Sequence, residues 1–409
     1  MDRLLSFVGV FAMAGLAFLF CPASLRRHIR WRQIGLGLAA LFVFALIVLR
    51  TPVAWVFGLA NDGVDRLLEF TKEGSRFVFG ALVTNVDSFG FVFAFQVLPT
   101  IVFFAALMAM LYHLRVMPFV IRTMARFVSR FLGVSGAESF STVSDIFVGQ
   151  TEAPLVIQPY LATLTRSELN ACMIAGFATT SGGVLAAYVG MLRDFVPGIA
   201  GHLIACSVMC APASIVVAKL MLPEEGRPRT LGASDLEIPR VDANLVDAAA
   251  RGTTEGLRLA VNVAAMLISF LALTAVANYF LHQAGTSLEQ ILGWLFSPVA
   301  WLLGVPWIDA PKVGSLLGQK LVLNEFVAYA HLQDMLRQTH GEWLGERSRL
   351  IVSYALCGFA NFGSIGIQIG GYGSLCPERR GDLSRLALRA MIGGTLATCM
   401  VAAVAGVLV

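Results

Sequence analysis

Long apolar runs, each close to the length of a membrane crossing, alternate along this chain with short segments rich in arginine. A transmembrane helix needs about 20 mainly apolar residues, whereas a transmembrane β-strand shows about ten residues of alternating polarity. The runs here are of the first kind and predict membrane-spanning helices. We expect eight spans, at Leu5–Phe20, Ile34–Leu49, Phe91–Tyr112, Leu169–Leu192, Ile199–Leu222, Leu257–Leu281, Leu350–Gly371 and Ala390–Val409.

Three other segments mix apolar residues with charges and are too polar to span. Val53–Leu82 has helical periodicity and predicts an amphipathic helix in the membrane interface. Ser135–Thr165 and Leu295–His331 hold carboxylates, each of which costs about 2.5–3.5 kcal/mol at the centre of the bilayer. Both segments predict re-entrant hairpins, because irregular backbone at membrane depth is tolerated where it contacts protein or water.

Arginine-rich loops follow the first, third and seventh spans, and a polar linker, Pro223–Asp247, follows the fifth. Short basic loops stay cytoplasmic, so we expect both termini on the outer face of the cell inner membrane. One span separates the two units of a hairpin and two spans, which predicts an inverted repeat. The expected regions are scaffold 1–134, transport repeat 135–222, linker and scaffold span 223–285, and transport repeat 286–409.

Composition agrees with an all-α membrane protein, since 57% of the residues are hydrophobic and 14% are charged. Soluble proteins have about a quarter of their residues charged. The net charge of +4 is small and follows the loop arginines, so no nucleic acid partner is expected. The seven cysteines show no CxxC spacing, and neither a disulfide framework nor a zinc site is indicated.

A short polar motif occurs twice where hydrophobic sequence is expected. Gly149–Leu155 reads GQTEAPL, and Gly318–Val327 reads GQKLVLNEFV. Each precedes a segment that contains Gly-Phe-Ala and then glycine and hydroxyl residues, at Gly176–Val184 and Gly358–Gly366. Such residues at equivalent places in two spans predict broken helices, whose unwound backbone binds a ligand near the midplane.

Glu152 and Glu325 are the strongest functional candidates, because carboxylates inside a membrane are rare and usually functional. Both accept hydrogen bonds from hydroxyl and ring N–H groups. No arginine accompanies the set, so a neutral polar solute suits it better than an anion, and no catalytic residue or cofactor is predicted. The same motifs contribute Gln150, Thr151, Val184, Phe359, Asn361 and Ser364.

These motifs, with GLRLAVNV at Gly256–Val263, resemble the concentrative nucleoside transporter family over essentially the whole chain. The resemblance implies eight spans, two re-entrant hairpins, an interfacial helix and a homotrimer in the lipid bilayer. It implies a nucleoside substrate such as uridine or adenosine. The residues that it places against the base are Gln150, Thr151, Glu152 and Val184. Those that it places around the ribose are Glu325, Phe359, Asn361 and Ser364.

The resemblance also implies a coupling-cation site at Asp145, Val148, Thr179 and Thr180. The family has asparagine where this chain has Asp145, and serine where it has Thr179. An aspartate can bind sodium, and unlike asparagine it can also take up and release a proton. Of these two ions we favour the proton at this stage.

The leading hypothesis is therefore a cation-coupled nucleoside symporter. A symporter for another neutral polar solute would keep the hairpins and change the groups around Glu152 and Glu325. An intramembrane enzyme would use the same two carboxylates as general acid and base. A channel would place polar residues along several spans, whereas here they concentrate at the hairpins and predicted breaks.

Overall fold

The computed structural model describes residues 2–50, 54–84, 92–232 and 242–409, and every regular element within these ranges is helical. The long helices are α1 Asp2–Leu19, α2 Trp31–Arg50, α3 Ala54–Phe79, α4 Leu98–His113, α5 Val116–Leu132, α6 Gly136–Asp145, α7 Arg166–Ala178, α8 Gly182–Leu192, α9 Ile199–Met221, α10 Leu245–Gln283, α11 Leu288–Leu302, α12 Ala310–Val322, α13 Glu325–Gln338, α14 Glu346–Leu356, α15 Phe362–Leu375 and α16 Arg380–Leu408. Short helical turns lie at Ala23–His28, Ala81–Thr84, Phe93–Gln96, Ala153–Val156, Gln158–Thr163 and Pro377–Arg379.

Seven helical stretches of the described residues are long and apolar enough to cross a membrane. They are Asp2–Leu19, Trp31–Arg50, Phe93–His113, Arg166–Leu192, Ile199–Met221, Leu245–Gln283 and Pro377–Leu408. Each overlaps a predicted span. The eighth predicted span, Leu350–Gly371, is divided between α14 and α15. Phe91 and Val53, which begin two of the predicted segments, and linker residues 233–241 lie outside the described residues.

A similar order of helices occurs twice along the chain, with the long helix α13 in the second unit where the first has two short helical turns. First come α6, a turn with two short helical turns, α7, a break, α8 and α9. Later come α12, a turn, α13, α14, a break, α15 and α16. The order of elements therefore agrees with the internal repeat that the paired Gly-Gln and Gly-Phe-Ala motifs predicted.

Both predicted helix interruptions are present, and local chemistry explains them. Thr179 ends α7 in an extended conformation (φ −113°, ψ 166°), and Ser181 begins α8 at φ −70°, ψ 154°. In the second repeat Gly358 has φ +124°, a conformation that side-chain-bearing residues rarely adopt. Asn361 then caps α15, because its side-chain oxygen accepts a hydrogen bond from the backbone N–H of Ser364 at 2.8 Å.

The boundaries of the second hairpin differ from the predicted range Leu295–His331. The first part of that range belongs to α11, which starts at a capping box on Ser287. The chain folds back later, between α12 and α13, where Nδ1 of His331 lies 2.9 Å from the side-chain oxygen of Gln319. Apolar residues dominate α11 and α12 alike, so the hydropathy pattern did not show where one helix ends.

The arginine-rich segment after the third span is helical, which the sequence analysis did not predict. It forms α5, whose buried side includes Ile121, Ala125, Val128 and Leu132. Their spacing of three and four residues places them on one face of the helix. The basic segment therefore packs against the protein along this face.

Burial is greatest where the two repeats meet. Every residue of α7 except its first, Arg166, is buried. The two helix breaks touch, since a Cβ added to Gly358 would lie 2.7 Å from the carbonyl oxygen of Ala178. The hydroxyl of Thr180 lies 3.6 Å from the thiol of Cys357. The packed core thus brings both interruptions to one place.

The long helix α10 packs on α4 along a narrow stripe and is otherwise mostly exposed. Its buried residues include Gly252 and Gly256, and a Cβ added to Gly252 would lie 2.7 Å from the carbonyl oxygen of Ala105 in α4. Small residues at this spacing let two helices in a membrane approach closely. The pair of α4 and α10 forms one side of a cavity that the hairpin tips also border.

Candidate functional site

A cavity of about 830 Å³ lies between the two hairpin tips, the break before α15, and the pair α4 and α10. Seven of the predicted substrate residues line it: Gln150, Thr151, Glu152, Glu325, Phe359, Asn361 and Ser364. Val184 is fully buried and is not part of the lining, although Ser181 and Gly183 beside it are. The structure therefore brings most of the predicted set to a single space, and a role for Val184 stays a prediction.

Both hairpin tips converge on the N-terminus of α15. From the first hairpin, the Gln150 amide donates a hydrogen bond to the hydroxyl of Ser364 at 3.2 Å. From the second, the carboxylate of Glu325 accepts a hydrogen bond from the Asn361 amide at 2.8 Å. These four side chains are at most 5% exposed. They form one continuous wall of donors and acceptors from three different elements.

Helix starts fix the orientation of this wall. Asn324 caps α13 by accepting a hydrogen bond from the backbone N–H of Val327 at 2.9 Å. Glu325 is consequently the first residue of α13, where the positive end of the helix dipole favours a carboxylate. The side-chain oxygen of Asn361 caps α15, and its side-chain NH2 group donates a hydrogen bond to Glu325. The interruption that creates the site also presets the direction of its side chains.

Gln368 belongs to this network, and the sequence analysis missed it. Its amide donates to the side-chain oxygen of Gln150 at 3.1 Å and to the backbone carbonyl of Met173 at 3.1 Å. Gln368 lies four residues after Ser364 and so on the same face of α15. That spacing from a predicted site residue was the available signal. Gln368 holds the tip of the first hairpin to both repeats.

Thr151 and Glu152 occupy the open side of the cavity. Both are exposed residues in the described structure, in contrast to Gln150. A solute in the cavity can therefore reach their hydroxyl and carboxylate groups directly. Phe359, which is partly buried, adds an aromatic surface to the same space.

Asp145 is a buried carboxylate at the end of α6. It is 1% exposed, and neither of its oxygens has a hydrogen-bond partner among the described residues. A Cβ added to Gly176 would lie 3.4 Å from its Oδ1. A buried carboxylate without a partner is strongly unfavourable. Asp145 therefore has the properties of a group that binds a cation or a proton.

The other predicted ion-site residues lie where the first hairpin meets the break of the first repeat. The backbone N–H of Gly182 donates to the carbonyl of Phe147 at 3.0 Å, which joins the hairpin tip to the break holding Thr179 and Thr180. The hydroxyl of Thr179 donates to the carbonyl of Ala175 at 2.8 Å. Val148 lines the cavity. Their oxygen atoms are the kind of ligand that a hard cation prefers.

A polar stripe on α10 forms a further part of the lining that the sequence analysis missed. Arg251, Glu255, Arg258 and Asn262 all line the cavity. Their spacing of three and four residues puts them on one face of the helix. The predicted sixth span began at Leu257, so the first two lay outside it. The repeated spacing was the signal.

Within the described ranges, no group of three or more histidine, cysteine, aspartate or glutamate residues is arranged to hold a metal ion. All seven cysteines are buried. The lining combines amide, hydroxyl, carboxylate and guanidinium groups with apolar walls. Such a cavity binds a polar organic solute through several directed hydrogen bonds.

Comparison with known families gives a consistent picture. The profile described as "Na+ dependent nucleoside transporter C-terminus" matches residues 202–406, and the corresponding N-terminal profile matches residues 8–82. A profile described as "Nucleoside recognition" matches residues 94–195. Together these matches include both hairpins and both broken helices.

Individual relatives are similar over the whole of this chain. "Uncharacterized transporter YutK" of Bacillus subtilis (strain 168) is 43% identical, with complete coverage of both chains. "Sodium/nucleoside cotransporter 1" of Mus musculus is 42% identical, and the match covers all of this chain and 64% of that protein. The chain thus spans less than two thirds of the length of the mammalian relative.

Solved structures are similar at the same level. The structure of CNTnw in an inward-facing substrate-bound state has a TM-score of 0.92 and 40% identity, and the match covers 100% of this chain and 98% of that one. A CNTnw variant in an intermediate state has a TM-score of 0.93 and 40% identity. The all-helical fold described above matches both.

Proposed function

The chain belongs to the Na+ dependent nucleoside transporter family, and on that premise we propose that it is a symporter that carries nucleosides across a membrane together with a cation. The observation that carries this proposal is the wall formed by Gln150, Ser364, Asn361 and Glu325. It presents donors and acceptors from both repeats to one cavity. A nucleoside has ring nitrogens, carbonyls and hydroxyls that match such a wall.

Within this proposal, the two ends of the wall bind different parts of the solute. Gln150, Thr151 and Glu152 bind the base. Glu325, Asn361 and Ser364 bind the ribose, because a carboxylate that already accepts from Asn361 retains lone pairs for two neighbouring hydroxyls. Phe359 provides an apolar surface that contacts the sugar or the base. Val184 packs behind the residues that line the base site.

Sodium is the coupling ion that we propose, in place of the proton that the sequence analysis favoured. The family description and the name of the mouse relative both specify sodium, and neither supports a proton. The buried Asp145 carboxylate suits a cation, and Val148, Thr179 and Thr180 would supply further oxygens. The bound ion would neutralise Asp145 and stabilise the hairpin tip on the break beside it.

The membrane arrangement of this integral protein extends the same proposal. The α6 and α12–α13 hairpins are re-entrant, α3 lies in the interface, and the repeats have inverted topology. Both termini face the outside of the cell inner membrane, and the regions are scaffold 1–134 and 223–285 with transport repeats 135–222 and 286–409. Three copies form a homotrimer. Binding of the cation and the nucleoside favours the conformations in which the transport repeats move across the membrane.

The chain is not an enzyme, since its family and its relatives are transporters. Glu152 and Glu325 are thus binding groups and not a general acid and base. A symporter for another neutral polar solute is the alternative that the transport assay below separates from a nucleoside symporter.

The proposal is tested by uptake of labelled uridine into proteoliposomes under an imposed sodium or proton gradient. Accumulation driven by sodium, and competed by unlabelled nucleosides, is the expected result. Uptake that depends on neither gradient would overturn the proposal that the protein is a symporter. Uptake driven only by protons would overturn the proposal that sodium is the coupling ion. If uridine is not carried, labelled adenosine tests for a purine nucleoside, and labelled sugars and amino acids identify a different solute.

A further inference from the structure

Three charged side chains, Asp242, Arg251 and Glu255, form a cluster at the linker end of the cavity, where α10 begins. Arg251 donates from Nε and Nη2 to the two carboxylate oxygens of Asp242 at 2.6 and 3.0 Å. It donates from Nη1 to both oxygens of Glu255 at 3.0 and 2.9 Å. All three residues line the cavity. We call this group the vestibule cluster.

The guanidinium of Arg251 is held on both sides by carboxylates. All three of its nitrogens donate to Asp242 or Glu255. A free guanidinium is the preferred protein group for bidentate recognition of phosphate. Here Asp242 and Glu255 occupy the positions that phosphate oxygens would take.

Asp242 keeps its charge throughout the physiological range. Hydrogen bonds from Arg251 hold the pKa of the Asp242 carboxyl below its ordinary value. Its side chain is 5% exposed, whereas those of Arg251 and Glu255 are 32% and 42% exposed. The cluster therefore combines one shielded ion pair with a second carboxylate that borders the open part of the cavity.

The described lining of the cavity carries more negative than positive charge. It includes four carboxylates and two guanidiniums, which gives a formal charge of −2 when all carboxyls are counted as ionised and histidine as neutral. The carboxylates are Glu152, Asp242, Glu255 and Glu325, and the guanidiniums are Arg251 and Arg258. A confined space bordered by protein focuses the field of its charges and repels ions of the same sign.

We propose that Asp242 and Glu255 exclude phosphorylated nucleosides from the transporter by neutralising Arg251 and by leaving the vestibule negative. The inference rests on the proposed nucleoside function and assigns its discrimination against anionic solutes to residues outside the binding wall. A nucleoside monophosphate carries about −1.5 to −2 charges at neutral pH. It meets carboxylates in the vestibule, and the guanidinium of Arg251 is already occupied by Asp242 and Glu255.

The experiment is a competition assay with purified protein in which unlabelled uridine or uridine 5′-monophosphate displaces labelled uridine. The readout is the ratio of the two inhibition constants, which corrects each variant for its own affinity for uridine. The wild type is expected to favour uridine strongly. In Asp242→Asn/Glu255→Gln, Arg251 is left without anionic partners, and the ratio is expected to shift toward the monophosphate by roughly tenfold, the size of a charge-assisted hydrogen bond.

Two further measurements identify the cause of that shift. Adding Arg251→Gln to the double variant is expected to restore discrimination, since the exposed cation is then gone. High salt is expected to weaken the new monophosphate binding, because at about 1 M the screening length is near 3 Å. Asp247→Asn is the matched control, since Asp247 is exposed in the same region and does not line the cavity.

The outcomes separate this inference from the proposed function. If the wild type binds neither uridine nor adenosine, the nucleoside function is overturned. If uridine binds and the ratio of the double variant equals that of the wild type, the vestibule inference alone is overturned. If the double variant does not fold, the single variant Glu255→Gln replaces it in the test, because the change is at a partly exposed side chain. It is expected to shift the ratio in the same direction by a smaller factor, and an unchanged ratio overturns the inference.

Discussion

Asn361 and Glu325 are joined by a 2.8 Å hydrogen bond from the asparagine amide to the carboxylate, although they belong to different helices of the second repeat. The same asparagine accepts the backbone N–H of Ser364 at 2.8 Å and so starts α15. One side chain therefore ends the helix break and orients the carboxylate that faces the cavity. Structure and binding are coupled at this residue.

Substitution of Glu325 tests the charge at the wall. Glu325→Gln preserves shape but replaces charge-assisted hydrogen bonds, which are worth about 1.5–3 kcal/mol each, with weaker neutral ones. We expect uridine affinity to fall by roughly tenfold or more, measured by titration calorimetry in saturating sodium. Glu346→Gln, at an exposed residue outside the cavity lining, is the control and should bind normally. Equal affinities for both variants would contradict the assignment of Glu325.

Asn361 offers a matched pair of substitutions that separates its two roles. Asn361→Ser retains a capping oxygen, so the thermal unfolding midpoint should stay closer to that of the wild type than in Asn361→Ala. It lacks the amide that donates to Glu325, and nucleoside affinity should fall. Asn361→Ala removes the cap as well, at a cost of about 1 kcal/mol, and should lower both quantities. A Ser variant that binds uridine normally would show that the bond to Glu325 is not needed.

Asp145 is expected to determine the response to sodium. A ligand that binds the folded state raises its apparent stability with concentration, so sodium should raise the unfolding temperature of the wild type. Asp145→Asn keeps one oxygen ligand but loses the charge, and the same shift should require a higher sodium concentration. Lithium and potassium titrations serve as controls for ionic strength. A sodium response that is identical in the variant would show that the charge of Asp145 does not contribute to sodium binding.

Gly358 is expected to be intolerant of a side chain. Its φ of +124° is strained for alanine, and the added Cβ would lie 2.7 Å from the carbonyl oxygen of Ala178 and 2.9 Å from Cγ2 of Thr398. Gly358→Ala should destabilise the protein by about 1–3 kcal/mol, seen as a lower unfolding midpoint. Gly366→Ala is the control, because Gly366 lies within α15 and a Cβ added there would meet no described atom within 4 Å. Equal midpoints would show that the break relaxes easily.

The spans and breaks were predictable because they depend on local composition. Apolar runs predicted eight spans, of which seven overlap helical stretches that are long enough to cross, and glycine and hydroxyl residues predicted both breaks. Helix boundaries inside mixed segments were not predictable in this way. The helix α5 and the start of the second hairpin are set by packing and capping, which leave little trace in mean hydropathy.

The candidate site, like the fold, could be predicted only in part from the sequence. The sequence alone identified Gln150, Glu325, Asn361 and Ser364, because polar groups in an apolar chain are costly and so stand out. It did not reveal Gln368 or the pairing of Arg251 with Asp242 and Glu255. Those roles depend on which faces meet across separate helices, and a one-dimensional pattern contains no distances between them. Only the tertiary structure decided which polar groups satisfy one another and which, such as Asp145, remain for a ligand.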